Sequence, residues 1–287
     1  MNNIEKGLLE TMAIKIADSN HPYWYTSGTI GPFFINTHYL YGSKDDAEEL
    51  LNYIDSEKQT TNFFVNLENR VCSFYDKNKV FKTIVDEFYD GLKKTPEFIG
   101  ADIVSGGERR DWFFSPIIAK LSGKKHLYIL KDNSLYSNEI NDAHKSIGGA
   151  KIAHIADLIT QASSYQRAWI PSIVQAGAKI VFSAALVDRC QGGVVFLESN
   201  NIKTYCSVKI DKILFDKLLD SELISKPQYE MILSFLKDPD GYGKSFLNTN
   251  PDFIKQSYNE ISNQKKVKIF FESNPYKLSD ISKYKVD

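Results

Sequence analysis

The sequence carries no surplus of charge of either sign: 35 Lys and Arg against 36 Asp and Glu leave a formal charge of −1. A partner held through neutralised backbone phosphates asks for a basic excess, so nucleic-acid binding is not expected. Long apolar runs are missing too. None nears the ~20 residues that span a bilayer, so no membrane partner is expected either. Cysteine is scarce: Cys72, Cys190 and Cys206 are odd in number, widely spaced and without a CxxC pair, and read as free thiols of a reducing compartment. Five scattered histidines include no HExxH or similar ligand spacing, which argues against a structural zinc site. The opening MNNIEKGLLE lacks the basic start and apolar run of a secretory signal, so a cytoplasmic location is expected. No internal repeat or low-complexity linker is visible.

What is present is an ordinary globular composition, 43% hydrophobic and 25% charged over 287 residues. Ile4, Leu8, Met12 and Ile16 recur at steps of four and predict a helix over 3–18. Ser43 is placed to cap a helix through 44–56, and Phe81, Ile84, Val85, Phe88 and Leu92 predict one over 78–93. After Gly100, β-branched runs alternate with helical ones. Strands are expected at 100–105, 126–131, 150–157 and 178–188, with two more at 193–198 and 202–210. Between the third and fourth lies a helix over 164–175, bent by Pro171 and closed by Gly177. Further on, 213–219 reads as a helix and Ser225-Lys-Pro-Gln228 as a capping box opening another, ended by Pro239 and Gly241. Val267–Phe271 looks strand-like. The fold class is thus α/β, an open, mainly parallel sheet flanked by helices. It divides into an N-terminal part opening on a helix (1–77), a core (78–210) and a mostly helical C-terminal extension (211–287).

Three loops carry the chemistry. A strand ending at Asp157 runs into Thr160-Gln-Ala-Ser-Ser164 and then a helix, which presents backbone N–H groups and hydroxyls to one concavity suited to a phosphomonoester. The plainer alternative is a helix cap. The second loop follows Asp102–Ser105 as Gly106-Gly107-Glu108-Arg109-Arg110. Paired glycines allow close approach and the arginines offer forked donors, so it reads as a pyrophosphate nest or as a tight turn with solvated arginines. The third, 131–149, is polar, lacks apolar periodicity and is longer than inert loops usually are, so it is either a mobile lid or a surface excursion.

The order of these elements, closing on Ala185-Leu-Val-Asp188-Arg189-Cys-Gln-Gly192-Gly193, resembles the type I phosphoribosyltransferases, and among them the orotate phosphoribosyltransferases. Ser27-Gly-Thr-Ile-Gly-Pro-Phe33-Phe34-Ile35 is similar to the segment that begins their substrate hood. The likeness covers about residues 5–200. It implies transfer of ribose 5-phosphate from phosphoribosyl pyrophosphate, with Mg²⁺, to a pyrimidine nitrogen. By the same resemblance Thr160, Gln161, Ala162, Ser163 and Ser164 cradle the 5-phosphate and Asp157 serves the ribose. Ser105, Gly106, Gly107 and Arg109 meet the pyrophosphate, and Lys131 neutralises it. Arg189, Ser27, Phe33 and Phe34 face the base. The partners implied are small-molecule substrates and a second copy of the chain, whose lid completes the site. The chain departs from the family's pattern in three places. Ala156 stands where the first of two acids is usual, so an acid there is expected to restore a ribose contact. Gln161-Ala162 replaces Thr-Gly, and the long loop keeps only Lys131, His144 and Lys145 of a lid rich in Lys, His and Gly. A second reading therefore stands beside the enzyme: a non-catalytic protein that binds a nucleotide or phosphorylated ligand on the same fold.

Overall fold

The computed structural model describes residues 1–18 and 21–284. It divides into two compact units, one of residues 1–13 and 36–210, the other of 14–35 and 211–287. Residues 1–13 and 36–77 therefore share a unit with the sheet, while the segment containing the hood motif is grouped with the C-terminal helices. In chain order the elements begin with helix α1 (Asn3–Glu10) and strands β1 (Ile14–Ile16), β2 (Tyr23–Trp24), β3 (Ile30–Gly31) and β4 (Phe33–Ile35). Helices α2 (Lys44–Glu57), α3 (Phe63–Lys77), α4 (Lys79–Leu92) and α5 (Pro96–Ile99) precede strand β5 (Ile103–Gly107). There follow α6 (Ser115–Ser122), β6 (Lys125–Ile129), β7 (Leu135–Tyr136), α7 (Ala143–Ser146), β8 (Lys151–Ile159), α8 (Ile170–Gln175), β9 (Lys179–Asp188), α9 (Gly193–Ser199) and β10 (Lys203–Lys209). The last five are α10 (Lys212–Asp220), α11 (Lys226–Lys237), α12 (Pro239–Thr249), α13 (Phe253–Tyr258) and α14 (Ile261–Ser273).

The first unit is built on a six-stranded sheet in the order β10-β9-β8-β5-β6-β7. All neighbours are parallel except β7, which returns antiparallel along β6. Register pairs Gly107 with Ile129 and Ile159 with Asp188, so the strands preceding Glu108, Lys131 and Thr160 all end on one edge, as the alternation predicts. One face packs Ile152, Ala156 and Ala185 against Tyr165, Ile173 and Leu197. The other is covered by α3, α4 and α6. No helix among the described residues is long and apolar enough to cross a membrane.

Several helices form where their caps and faces predict. Ser43 accepts the Asp46 N–H at the head of α2, the five apolar residues of α4 are all buried, and the Ser225–Gln228 capping box opens α11. Tyr165–Trp169 form a π-helical turn just before α8, so the bend expected at Pro171 takes the form of a widened turn ahead of a residue with no N–H to donate.

Other expectations are corrected. The first helix stops at Glu10: Met12 sits at φ 56° and is exposed, and Ile14–Ile16 is strand β1. The 193–198 run is helix α9, because Gly192 in the left-handed region turns the chain back across the sheet. Val267–Phe271 lies within α14, where Val267 and Phe270 are buried three apart. Pro239 opens α12 at a helix N-terminus, where its missing N–H costs nothing, and so starts a helix as well as following one. The 131–149 segment is not a bare loop: Leu135 pairs in β7, and Leu135, Ala143 and Ile147 are buried in the core.

In the second unit, β1 pairs with β4 and β2 with β3. Trp24 stacks on Phe253 and meets the edge of Phe270, while the Ile30 N–H donates to the Tyr276 hydroxyl at 2.8 Å.

Candidate functional site

The common edge of the parallel strands gathers Glu108, Arg109, Arg110 and Asp111 after β5, Lys131 after β6, Asp157 and 160–164 at the end of β8, and Asp188 and Arg189 at the end of β9. Asp111 organises its centre. One of its oxygens accepts the Asp157 N–H at 3.0 Å and the other the Gly107 N–H at 2.9 Å, tying β8 to β5. His154 Nε2 lies 3.4 Å from the same carboxylate, and its Nδ1 is 2.9 Å from Ser105 Oγ. Both Ser105 and His154 are fully buried, so this Ser-His-Asp row is closed to any substrate and serves as core wiring.

Like His154 Nε2, Asp157 is left with a polar atom unspent in this network. It is buried, and its Oδ2 has no hydrogen-bond partner. Burial, with the Asp111 charge adding, pushes its carboxyl from 3.8 up to about 7 against the opposing pull of Arg110. A buried acid with one oxygen unspent, at a strand end beside a polar loop, is what a hydroxylated ligand would satisfy.

The loop after β8 is held open by its own neighbours. Gly193 donates its N–H to the Thr160 carbonyl at 2.9 Å, and a Cβ at Gly193 would lie 2.5 Å from that oxygen, so only glycine lets α9 close on the loop. Gln166 Nε2 and Arg167 Nε bond to the carbonyls of Gln161 and Ser163 at 3.1 and 3.3 Å. Ala162 adopts φ 55°, the conformation in which a glycine would sit without strain. Among the described residues the N–H groups of Gln161, Ala162, Ser163 and Ser164 make no hydrogen bond, and they stand where the helical turns leading into α8 begin.

The other expected residues fall differently. Ser105, Gly106 and Gly107 belong to β5 and are buried. A Cβ at Gly106 would meet Ser115 Oγ at 2.1 Å, and one at Gly107 would meet the Trp169 ring at 2.3 Å. The close approach these glycines permit is taken by the chain's own side chains. Arg109 pairs with Asp55, and Lys131 pairs with Glu108 at 3.8 Å. Arg189 is half-buried at the end of β9, its N–H on the Ile159 carbonyl. His144 Nε2 accepts the Leu135 N–H at 2.9 Å and Lys145 pairs with Asp142, so both brace the segment in which they lie. Ala156 is fully buried in the apolar cluster with Ile159, Ala185 and Leu197, which leaves no room for a ribose-facing acid.

Ser27, Phe33 and Phe34 belong to the second unit. Ser27 Oγ is 2.7 Å from Thr29 Oγ1, Phe33 is buried between Phe215 and Phe235, and Phe34 packs beside Tyr23 and Tyr25. A groove of about 490 Å³ lined by Asp102, Lys125, Ile140 and Gly148–Gly149 lies at the opposite edge of the sheet, away from Asp157. Sequence reasoning passed over Asp111, His154, Glu108 and Trp169. The acid four residues beyond Gly107 was the available signal for Asp111, since an Asx carboxylate reaches backbone N–H groups at that separation.

No protein-family model matches the chain, and no curated protein matches it by sequence. Solved structures do. The UMP synthase of Leishmania donovani superposes with a TM-score of 0.57 at 15% identity, covering 83% of this chain. The chain spans 42% of the length of that protein. The orotate phosphoribosyltransferase of Francisella tularensis gives a TM-score of 0.51 at 13% identity, covering 81% of this chain and 93% of that one. The fold is type I phosphoribosyltransferase-like. On a phosphoribosyltransferase fold of this kind, Asp157 and 160–164 occupy the strand end where an open α/β sheet binds its ligand.

Proposed function

We propose that this chain binds a 5-phosphoribosyl compound, with the phosphate on the N–H groups of Gln161–Ser164 and the ribose hydroxyls on Asp157. The observation that carries the reading is the coincidence, at one strand end, of four unspent backbone donors and one unspent buried carboxylate oxygen. Donors of that kind favour a doubly charged phosphomonoester, and the helix that follows adds its positive end.

Phosphoribosyl transfer to orotate or a related pyrimidine is the reaction for which this fold supplies precedent. Its transition state gathers positive charge on the ribose. An ionised Asp157 next to the ring would stabilise that charge without a covalent nucleophile, and Lys131 would meet the departing pyrophosphate. Mg²⁺ would supply charge neutralisation of that leaving group. The ion would arrive with the diphosphate, because among the described residues no group of three or more His, Cys, Asp or Glu could hold a metal by itself, and Ala156 adds nothing to Asp157. No step is therefore assigned to it.

The binding-protein reading is favoured by the burial of Ala156 and by the internal pairing of Lys131. Calorimetry with ribose 5-phosphate tests the site, and Mg²⁺-dependent pyrophosphate release with orotate, uracil and purines tests turnover. Saturable binding that Ser163→Glu abolishes supports the phosphate loop, and binding by that variant equal to wild type removes it. Turnover assigns the enzyme; binding without turnover on any base assigns the binder. We place the chain in the cytoplasm and expect it to work as a homodimer, which sedimentation of the purified chain would test.

A further inference from the structure

Four cations stand at the loop after β5: Arg109 and Arg110 within it, and Lys58 and Lys131 against its Glu108. Three of them are already paired within the chain. The Glu108 side chain is only 3% exposed, and its carboxylate lies 3.0 Å from Lys58 Nζ and 3.8 Å from Lys131 Nζ. The Lys131 N–H also donates to it at 3.0 Å. Arg109 pairs with Asp55 at the end of α2. The two glycines behind this loop are covered by Ser115 and Trp169.

An anion seeking Lys58 and Lys131 would have to compete with a nearly buried carboxylate for both, closely for Lys58 and at longer range for the more exposed Lys131. It would leave that acid with only the Lys131 N–H beside the incoming charge, costlier than a broken surface ion pair. By contrast, among the described residues no carboxylate bonds to the Gln161–Ser164 N–H groups. We infer that Glu108 and Asp55 are built-in occupants of the diphosphate limb of this site, so that it recognises its ligand by the ribosyl phosphomonoester end, as in a nucleoside monophosphate, and gains no affinity from a diphosphate on the ribose. The inference rests on the reading of Gln161–Ser164 as the phosphate end.

The test is calorimetric titration of the full chain with ribose 5-phosphate, with phosphoribosyl pyrophosphate plus Mg²⁺, and with inorganic pyrophosphate alone. It is run on wild type, Glu108→Gln and Asp55→Asn. Wild type should bind the two sugar phosphates with affinities less than about tenfold apart and should not bind pyrophosphate. Glu108→Gln frees Lys58 and Lys131, and should raise pyrophosphate affinity at least about tenfold more than that for ribose 5-phosphate. Asp55→Asn, whose side chain is half exposed, should move affinity in the same direction by freeing Arg109, and serves if Glu108→Gln does not fold. A wild-type preference of about tenfold or more for phosphoribosyl pyrophosphate over ribose 5-phosphate overturns the inference, as does the absence of any pyrophosphate gain in the folded variants. Should no sugar phosphate bind, the phosphate-loop reading falls; pyrophosphate gained by the variants then still supports the occupancy of Glu108 and Asp55, and its absence still overturns it.

Discussion

Replacing Asp157 with asparagine keeps the shape of the side chain and removes its charge, and the consequence for stability depends on pH in a direction the burial dictates. In the folded chain the carboxyl titrates at about 7, raised from 3.8 by burial and then by Asp111. Between those two values the folded protein holds a proton that the unfolded chain has released. Wild-type stability therefore falls as pH rises through this window and levels off above it. At ~1.36 kcal/mol per pH unit, the full penalty approaches about 4 kcal/mol, an upper bound that water entry would reduce. Asp157→Asn does not titrate, so it should match wild type within ~1 kcal/mol near pH 4 and exceed it by ~2–4 kcal/mol at pH 8. Urea unfolding of the pair at pH 5, 6, 7 and 8, followed by tryptophan fluorescence, measures this. A stability difference constant across that range refutes the claim that Asp157 carries an unrelieved buried charge. The same variant should lose affinity for ribose 5-phosphate, as expected where a functional group is kept at the expense of stability.

Ser163→Glu places a carboxylate among the four free N–H groups. It should abolish ribose 5-phosphate binding while leaving Tm within ~2 °C, because Ser163 is not buried in the core. Gly193→Ala sets a methyl 2.5 Å from the Thr160 carbonyl and should cost ~1–3 kcal/mol in urea unfolding while weakening the same ligand; unchanged midpoint and affinity would refute the packing of α9 on the loop. Ala156→Asp, which sequence reasoning favours as a gain of function, should instead cost ~3–5 kcal/mol, because it buries an unpaired carboxylate among Ile159, Ala185 and Leu197. Tighter donor binding by that variant would show that position 156 faces the ligand.

Long amphipathic periods and capping signatures were legible. The five apolar residues of α4 and the Ser225–Gln228 box each fix an element by local physics, and alternation of strand and helix fixes which loops share an edge. Short runs were not. Val194-Val195-Phe196 has strand propensity but sits in α9, where the crossover between β9 and β10 decides, and Val267–Phe271 is too brief to separate a period of two from one of 3.6. At the candidate site, residue types at strand ends could be read in advance. Whether Gly107 opens toward a ligand or toward Trp169, and whether Lys131 is spent on Glu108, depend on side chains that meet only in three dimensions.

The second unit is assembled from segments 14–35 and 211–287, and the Ile30–Tyr276 hydrogen bond joins residues 246 positions apart. On a ribosome, residues 14–35 emerge early and must wait for about 175 more residues before any of their C-terminal partners exists. At ~5–20 residues per second that interval is roughly 10–35 s, far longer than hydrophobic collapse takes. Throughout it Trp24, Ile30 and Phe33, all buried in the finished protein, have no native partner among 211–287. Nascent chains stalled before residue 211 should therefore be the species most prone to chaperone capture, and those extended past Tyr276 much less so.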